Sequence, residues 1–326
     1  MSELDTKKPV PGTVYLDGKG YRVGRLIGSG GEGRVYLLPD YPGKVLKLLH
    51  SEIVSPTYQA HLHATIRCQV PSMVDGKVIA TLPEALAYTE DGQFVGYSMP
   101  QIRSRLRLYN LWIDLEGYFR HFSLNDRYTV AYQLAAAMDH LHRHGLVMGD
   151  VNPFNIVLNA DRSVTLCDLG SCSVTDPVTG VRFENSVGIG DYLAPEVYQP
   201  NLADACFTPQ SDCFSLAVLI FQIITLGCHP FNTARTSFKE KKFSSYCYLG
   251  NEELMVGSPY FSSIENHTIP AYAEPFLPGL EPFLPMFRRV FGYTEENVCS
   301  TGQIALRPSA REWMDALKKH LSYRSR

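Results

Sequence analysis

The sequence predicts an α+β fold in which a small antiparallel-sheet lobe precedes a larger helical lobe. Two observations support this prediction. The first third of the chain holds short strand-like runs separated by Gly and Pro turns, and helical periodicity dominates after about residue 103. We assign residues 1–20 to a polar lead-in, 21–102 to the N-lobe and 103–326 to the C-lobe, so that one bilobal domain covers 21–322. A cleft is expected where the two lobes meet.

The predicted N-lobe is a meander with one helix. Its strand-like runs are Tyr21–Ile27, Arg34–Leu38, Lys44–Leu49, Val78–Ala87 and Gln93–Ile102, and a helix is predicted over 54–67. A turn at Pro42–Gly43 joins neighbouring runs, which favours antiparallel pairing.

Three helices are predicted in the C-lobe, over Asn125–Leu141, Ser211–Leu226 and Ser309–Leu321. The first has a capping residue at Ser123 or Asn125. The second is apolar nearly all round, which places it in the centre of a domain. The stretch Phe243–Glu281, rich in Pro, Tyr and Phe, is interpreted as an ordered insertion that either binds a partner or packs against the C-lobe.

Composition excludes several functional classes. A formal net charge of −3 gives no reason to expect nucleic acid or an anionic membrane as a partner. The segment Met1–Gly20 has no apolar core, so no signal peptide is expected, and the longest apolar run, Phe214–Leu226, is too short to span a bilayer. The eight cysteines form no C-x-x-C pair, which favours reduced thiols and a cytoplasmic location.

The first chemical motif is Gly28-Ser29-Gly30-Gly31-Glu32-Gly33, between two predicted strands. Glycines let a backbone approach phosphates closely. The spacing alone is weak, because Rossmann sites share it and tight hairpins need some of the same glycines. A strand, and not a helix, follows the motif, and no Gly-Lys-Ser/Thr is present, so the context counts against Rossmann and Walker sites.

Lys47 ends the apolar run Val45-Leu46-Lys47. A lysine at such a position is often a solvated edge residue. On a strand that pairs with the glycine hairpin, it can instead reach beneath the loop to phosphate oxygens.

The strongest signal is the segment Gly149–Asn155, which leads into the strand-like run Ile156–Leu158 and is followed by Cys167-Asp168-Leu169-Gly170. Phosphoryl transfer requires a carboxylate near the substrate hydroxyl and oxygen ligands for Mg²⁺ near the phosphates. Asp150 suits the first role, and Asn155 and Asp168 suit the second. Each residue alone also suits a turn, but their order after Lys47 argues against coincidence.

Two further contacts are predicted around these motifs. Glu196, in Ala194-Pro195-Glu196, is expected to form a buried ion pair with Arg307, because either charge buried alone would be costly. Asp212 is expected to accept hydrogen bonds from backbone N–H groups of the loop that carries Asp150.

With these motifs the chain resembles the eukaryotic-like (Hanks-type) protein kinases over about residues 21–322, which implies the two-lobed protein-kinase fold. It is most similar to a bacterial subgroup associated with PP2C-type phosphatases and von Willebrand factor A proteins, or with helix-hairpin-helix tails. Three segments carry the subgroup resemblance: Gly149-Asp150-Val151-Asn152, Gly96-Tyr97-Ser98-Met99-Pro100, and Arg307 to Trp313.

The resemblance implies a role for each matching position. Phosphates are implied to lie on Gly28, Gly30, Gly33 and Lys47, adenine between Val35, Val45 and Val157, with Met99 as gatekeeper and Pro100 to Ile102 as hinge. Asp150 is implied as the catalytic base with Lys47 and Asn152 as its catalytic neighbours, and Asn155 and Asp168 as metal ligands. The implied cofactors are ATP and Mg²⁺, with Mn²⁺ as an alternative ion.

Several positions depart from the family pattern. Met148 and Gly149 replace the histidine and arginine before the catalytic aspartate, so activity is not expected to depend on a phosphorylated activation loop. Asn152 replaces a lysine and Ile189 a threonine; these two changes either compensate each other or weaken catalysis.

The carboxylate partner of Lys47 stays unassigned. Gln59 and His63 occupy the plausible helical positions, and Glu52 lies early for the role.

Three functions remain open from the sequence. The first is an active Ser/Thr protein kinase that phosphorylates proteins, itself included, with candidate autophosphorylation sites at Ser171, Ser173, Thr175, Thr179 and Ser186. The second is a pseudokinase that acts as a nucleotide-binding scaffold. The third is another transferase on the same fold. A protein substrate is the expected partner, with a PP2C-type phosphatase and a von Willebrand factor A protein as further candidates.

Overall fold

A computed structural model describes residues 10–113, 121–199, 201–232, 234–235, 267–268, 271–292, 297 and 299–322. The strands are β1 Thr13–Leu16, β2 Lys19–Arg22, β3 Leu26–Ser29, β4 Gly33–Leu37, β5 Lys44–Leu49, β6 Met73–Val74, β7 Lys77–Val78, β8 Ala85–Tyr88, β9 Phe94–Pro100, β10 Ile156–Leu158, β11 Val164–Leu166, β12 Val174–Thr175, β13 Arg182–Phe183, β14 Ala234–Arg235 and β15 His267–Thr268. The helices are α1 Pro56–Arg67, α2 Asn110–Ile113, α3 Leu124–Arg143, α4 Pro209–Thr225, α5 Leu284–Phe291, α6 Thr301–Leu306 and α7 Ala310–Ser322.

The N-lobe is built on one seven-stranded sheet with the order β2-β1-β8-β9-β5-β4-β3. All of its neighbouring strands are antiparallel. Val35, Lys47 and Tyr97 lie side by side on β4, β5 and β9. Because side chains alternate along a strand, Val45 and Lys47 share one face of β5. The predicted meander is confirmed.

The start of the chain differs from the predicted lead-in. β1 pairs with β2 in a hairpin and with β8 in the main sheet, so residues 13–20 belong to the N-lobe. Val14 and Leu16 alternate into the core at 0% and 3% exposure, and Asp17-Gly18 forms the turn with positive φ at both residues. The expectation of a loose segment is therefore wrong for residues 13–20; residues 1–9 lie outside the described part.

Two predicted strands are each interrupted. Tyr21–Ile27 is divided between β2 and β3, and Val78–Ala87 between β7 and β8. In the second interval the chain turns towards the C-lobe, where the backbone N–H of Thr81 donates to the Leu166 carbonyl (2.8 Å). The interval therefore joins the lobes instead of extending the sheet.

The C-lobe is organised around α3 and α4, and the three predicted helices are confirmed. α3 begins with a reciprocal capping box between Ser123 and Asp126, and the chain leaves its end through Gly145 at φ 75°. Every described residue of α4 from Ser211 to Thr225 is buried. Trp313 and Leu317 of α7 complete the core at 0% exposure.

Part of the predicted insertion Phe243–Glu281 packs against the C-lobe. Residues Ala271–Gly279 form a 3₁₀ helix, and Ala273 and Leu280 are buried. The Tyr128 hydroxyl donates to the Gly279 carbonyl at 2.7 Å. Residues 243–266 and 269–270 lie outside the described residues.

The predicted ion pair between Glu196 and Arg307 is confirmed. Two guanidinium nitrogens of Arg307 donate to the two carboxylate oxygens of Glu196 at 2.5 and 2.7 Å, and the Arg307 side chain is fully buried. The pair ties the 3₁₀ turn Pro195–Val197 to the loop before α7.

Within the described residues, no helix is both long enough and apolar enough to traverse a lipid bilayer.

Candidate active site

A cavity of about 530 Å³ lies between the two lobes, a volume suited to a small-molecule ligand. Its walls include most of the residues that the sequence singles out: Gly28, Gly30, Gly33, Val35, Val45, Lys47, Met99, Pro100, Ile102, Asn155 and Asp168. Ile27, Thr81 and Cys167 also line it, although no motif marks them.

Val157 does not line this cavity. It is 0% exposed on β10, where it pairs with Thr165 of β11 and bridges to Arg107. Its place beside adenine stays a prediction. Cys167 contributes to the cavity wall.

The hinge end of the cavity has an apolar wall and an available donor. Val35, Val45 and Met99 line it. Among the described residues, the backbone N–H of Ile102 has no hydrogen-bond acceptor. Buried or partly buried N–H groups normally find partners. An apolar slot beside such a donor fits a purine ring.

The glycine-rich loop is held close to β5. A side chain at Gly33 would place its Cβ 2.2 Å from the Leu48 carbonyl oxygen, so β4 can pair with β5 there only through glycine. The Gly30 N–H donates to the Gly33 carbonyl at 2.9 Å and closes the tip of the loop. The loop thus covers the cavity as a short hairpin.

Lys47 lies at the inner end of the cavity between two carboxylates. Its Nζ is 2.5 Å from Glu32 Oε2 and 2.6 Å from Asp168 Oδ1, and its side chain is 8% exposed. Burial alone would lower the pKa of Lys47. The Tyr97 hydroxyl and the carboxylates of Asp168 and Glu32 outweigh burial and raise that pKa above its ordinary value. The ammonium therefore stays charged and points towards the position expected for phosphates.

The backbone of Asp168 has a conformation that is uncommon for a non-glycine residue, and its side chain contacts Lys47. It adopts the left-handed conformation (φ 60°, ψ 47°), which costs a non-glycine residue about 1 kcal/mol or more. Such strain is common where a side chain must be held for function. Half of the Asp168 side chain is exposed, so its second oxygen is open to the cavity.

Asp150 does not line the cavity itself; it is hydrogen-bonded to Asn155, which does, and three N–H donors fix its carboxylate. Asn152 Nδ2 donates to Oδ1 at 2.8 Å, Asn155 Nδ2 to Oδ2 at 2.8 Å, and the Ile189 N–H to Oδ1 at 3.2 Å. The Asn155 amide thus directs its nitrogen to Asp150, and its Oδ1 accepts no hydrogen bond from the described residues. That oxygen, with the Asp168 carboxylate, is the donor type that Mg²⁺ prefers.

Asn152 sits below Asp150 and does not face the cavity. It is 1% exposed, and its Oδ1 accepts from the N–H groups of Phe154 (2.9 Å) and Asn155 (3.3 Å). Asn152 therefore shapes the loop and orients Asp150. Any effect on transfer would act through that aspartate.

Gly149 leaves room for a side chain of the activation segment. A Cβ at Gly149 would lie 2.5 Å from Asn185 Nδ2, and its φ of 75° disfavours any other residue. Asn185 is fully buried, and its N–H donates to Ser173 Oγ at 2.8 Å. The space in front of Asp150, where the family's arginine would begin, is thus occupied by Asn185.

The activation segment is ordered by contacts within the protein. It forms the β12–β13 hairpin, and Ser173 exchanges two backbone hydrogen bonds with Val147 (2.7 and 3.0 Å). Asp176 pairs with Arg67 of α1 at 2.8 Å, and Arg182 pairs with Glu184 at 2.5 Å.

We expect that phosphorylation of this segment is not required for activity. Of the candidate sites, Ser173 is buried, whereas Thr175, Thr179 and Ser186 are exposed. A triple alanine variant of these three residues should retain the wild-type rate, because the hairpin keeps its other contacts. Steady-state transfer to a generic protein substrate checks this, and loss of transfer would show that a phosphate is needed.

Asp212 anchors the catalytic loop from below, as predicted. Its carboxylate accepts from the N–H groups of Met148 (2.8 Å) and Gly149 (2.9 Å), and His142 Nε2 lies 3.0 Å away. Burial lowers the pKa of His142, but the hydrogen bond with Asp212 outweighs it and raises that pKa to about 10. His142 is thus a buried imidazolium that balances the Asp212 charge.

The contact between His142 and Asp212 predicts how the stability of the fold depends on pH. The pKa of His142 is higher in the folded chain than in the unfolded one. The stability that protonated His142 contributes to the fold is therefore complete below its pKa in the unfolded chain. This contribution disappears as pH rises towards its pKa in the folded chain, about 10. The melting temperature should fall between pH 7 and pH 10. His142→Gln should have a lower melting temperature than wild type at pH 7, and this difference in melting temperature should be smaller at pH 10. Equal differences at both pH values would refute a protonated His142 beside Asp212.

Comparison with known proteins decides the family. The sequence model of the protein kinase domain matches residues 21–268, which is most of the chain. The chain belongs to the protein kinase domain family. Its two-lobed α+β architecture is that of a protein-kinase fold.

Relatives of this kinase domain include bacterial and fungal kinases. It is 26% identical to "Protein kinase YegI" of Escherichia coli over 90% of this chain and 44% of that protein. It is 28% identical to "Serine/threonine-protein kinase PknF" of Mycobacterium tuberculosis over 66% of this chain and 44% of that protein. A 99-residue segment is 38% identical to "Serine/threonine-protein kinase sck1" of Schizosaccharomyces pombe, covering 30% of this chain and 14% of that protein. The chain spans less than half the length of these curated relatives.

Proposed function

We propose that this kinase domain transfers the γ-phosphoryl group of ATP to serine and threonine hydroxyls of proteins, itself included, with Mg²⁺ or Mn²⁺ as the metal. One observation carries the proposal. Lys47, Asn155 and Asp168 line a single cavity, and Asp150 is hydrogen-bonded to the side chain of Asn155. Phosphoryl transfer is catalysed mainly by such positioning of charge.

Each residue has a role that its geometry supports. ATP would supply the γ-phosphoryl group and leave as ADP, and the metal would neutralise charge on the phosphate oxygens. Lys47 orients phosphate oxygens, and Asn155 Oδ1 with the Asp168 carboxylate would hold the metal. Asp150 accepts the hydroxyl proton. Burial raises the pKa of Asp150 despite the hydrogen bonds from Asn152 and Asn155, so its carboxylate is a better base than an exposed one.

Serine and threonine specificity is supported by the names of relatives such as PknF. The Ala194-Pro195-Glu196 segment favours a protein substrate over a small molecule. A cytoplasmic location rests on the cysteine pattern. The PP2C-type phosphatase and von Willebrand factor A partners rest on the motif resemblance alone. Removal of label from the autophosphorylated chain by a PP2C-type phosphatase would support the first of these partners.

A pseudokinase is the second candidate, because Asn152 and Ile189 replace the lysine and threonine of the family. In this structure both residues donate hydrogen bonds to Asp150, through the Asn152 side chain and the Ile189 backbone. They therefore provide different contacts from those of the replaced side chains, and activity must be measured.

The test is incubation with ATP labelled at the γ-phosphate, with Mg²⁺, Mn²⁺ or EDTA. We expect metal-dependent label on phosphoserine or phosphothreonine in the wild type and none in Asp168→Ala. Nucleotide binding without label under any metal would favour the pseudokinase. Label retained from the α-phosphate of ATP would indicate a nucleotidyl transferase.

A further inference from the structure

The helix beside Lys47 offers it no carboxylate. α1, from Pro56 to Arg67, contains neither Asp nor Glu. The Tyr58 hydroxyl of α1 instead lies 3.4 Å from Glu32 Oε2. The residues considered from sequence make other contacts: Gln59 donates to the Tyr88 hydroxyl (3.1 Å), and Glu52 is exposed beside Ser51.

Glu32 reaches Lys47 from the glycine-rich loop. It lies between Gly31 and Gly33 at the base of the loop, and its Oε2 is 2.5 Å from Lys47 Nζ. The Glu32 side chain is 22% exposed, so the pair is mostly shielded from water. A shielded ion pair in good geometry is strongly coupled, because removal of one partner leaves the other charge uncompensated.

We propose that Glu32 is the positioning residue for Lys47, so that the loop covering the phosphates itself carries the carboxylate that holds the lysine. This inference rests on the proposed phosphoryl transfer and deepens it. Asp168, the other partner, is the proposed metal ligand. Glu32 is thus the carboxylate that pairs with Lys47 without also being proposed as a metal ligand.

The local backbone is built to hold Glu32 in place. The His50 N–H, directly after β5, donates to the Glu32 carbonyl at 2.9 Å, and His50 Nε2 lies 3.1 Å from the Gly30 carbonyl. Gly33 can approach β5 only because it has no side chain. These contacts anchor the base of the loop to the strand that carries Lys47, and the ion pair adds a side-chain link between them.

This arrangement changes what can switch the enzyme. Where a helix supplies the carboxylate, a shift of that helix breaks the lysine pair. Here both partners belong to the β3–β5 sheet region, so a shift of α1 reaches the pair only through the contact of Tyr58 with Glu32. Opening of the glycine-rich loop would break the pair instead. Loop closure and the lysine position thus become one equilibrium.

The main test is a double-mutant cycle on binding of a non-hydrolysable ATP analogue with Mg²⁺, using wild type, Glu32→Gln, Lys47→Met and the double variant. We expect Glu32→Gln to weaken binding about tenfold. In the Lys47→Met background the same change should have no effect, because Glu32 acts only through Lys47. Glu52→Gln, a nearby exposed glutamate, should bind like wild type.

Two results would overturn the proposal. Equal effects of Glu32→Gln in both backgrounds would mean that Glu32 only shapes the loop. Tighter binding by Glu32→Gln would mean that its carboxylate competes with the phosphates. This cycle needs no turnover, so it still decides the role of Glu32 if the wild type transfers no phosphate and the proposed function fails.

Catalysis gives a second readout where the wild type is active. Glu32→Gln should lower kcat/KM about 10²-fold, as expected for loss of one electrostatic contact in an active site. Adding Tyr58→Glu to Glu32→Gln places a carboxylate on α1 close to the vacated position. Recovery of transfer in that double variant would show that Lys47 requires a nearby carboxylate.

Discussion

Asp150→Ala should lower kcat for phosphoryl transfer by about 10²–10⁴-fold, the usual contribution of a positioned general base. The carboxylate is the acceptor for the hydroxyl proton, and burial raises its pKa. Lys47 and Asp168 do not contact the Asp150 side chain, and the Asp150 backbone carbonyl still accepts from Asn155 Nδ2 (3.1 Å), so nucleotide affinity should change little.

The measurement is kcat at saturating ATP beside the dissociation constant of the nucleotide. Asp204→Ala, which removes an exposed carboxylate from the same lobe, is the matched control and should keep the wild-type rate. A wild-type rate in Asp150→Ala would show that another group accepts the proton. A parallel loss of nucleotide binding would place Asp150 in binding and not in catalysis.

Glu196→Gln should destabilise the domain by about 3–5 kcal/mol, since it leaves the buried Arg307 guanidinium without its counter-charge. Arg307 has little else to compensate: it donates to the Gln210 carbonyl at 3.1 Å and lies over the Phe214 ring. The loss should appear in chemical denaturation as a lower midpoint with an unchanged slope.

The control for this prediction is the exposed pair Arg289–Glu312, whose side chains are 39% and 47% exposed. Glu312→Gln should cost less than about 1 kcal/mol, because solvent screens the charges. Replacing both Glu196 and Arg307 by apolar residues should cost less than Glu196→Gln alone. Equal losses in Glu196→Gln and Glu312→Gln would contradict the buried character of the first pair.

Much of the fold follows from sequence because its signals are local. β5 is observed over Lys44–Leu49 as predicted, and Ser123 caps α3 as predicted. The hairpin at residues 13–22 was missed because two strands of four residues give a weak pattern, and their pairing with β8 depends on distant residues. The family pattern fixes the strand of Val157 but not which side chains of that strand line the cavity, so its place beside adenine stays a prediction.

In the candidate site, too, the residues in local motifs are predictable from the sequence, and those that depend on distant contacts are not. Lys47, Asp150, Asn155 and Asp168 have fixed spacing in their motifs, so sequence could name them. Glu32 was overlooked because a helix partner was expected, although the lack of acidic residues in α1 was a readable signal. The contact of Asn185 with Gly149 could not be foreseen, because it depends on the path of the activation segment.

The central claim is that Lys47, Asn155, Asp168 and Asp150 surround one triphosphate. A crystal structure with a non-hydrolysable ATP analogue and Mg²⁺ tests it most directly. We predict phosphate oxygens within hydrogen-bond distance of Lys47 Nζ, a metal ion on Asn155 Oδ1 and the Asp168 carboxylate, and the terminal phosphate next to Asp150. An analogue bound with its phosphates away from Lys47, or a metal held by other residues, would contradict the account.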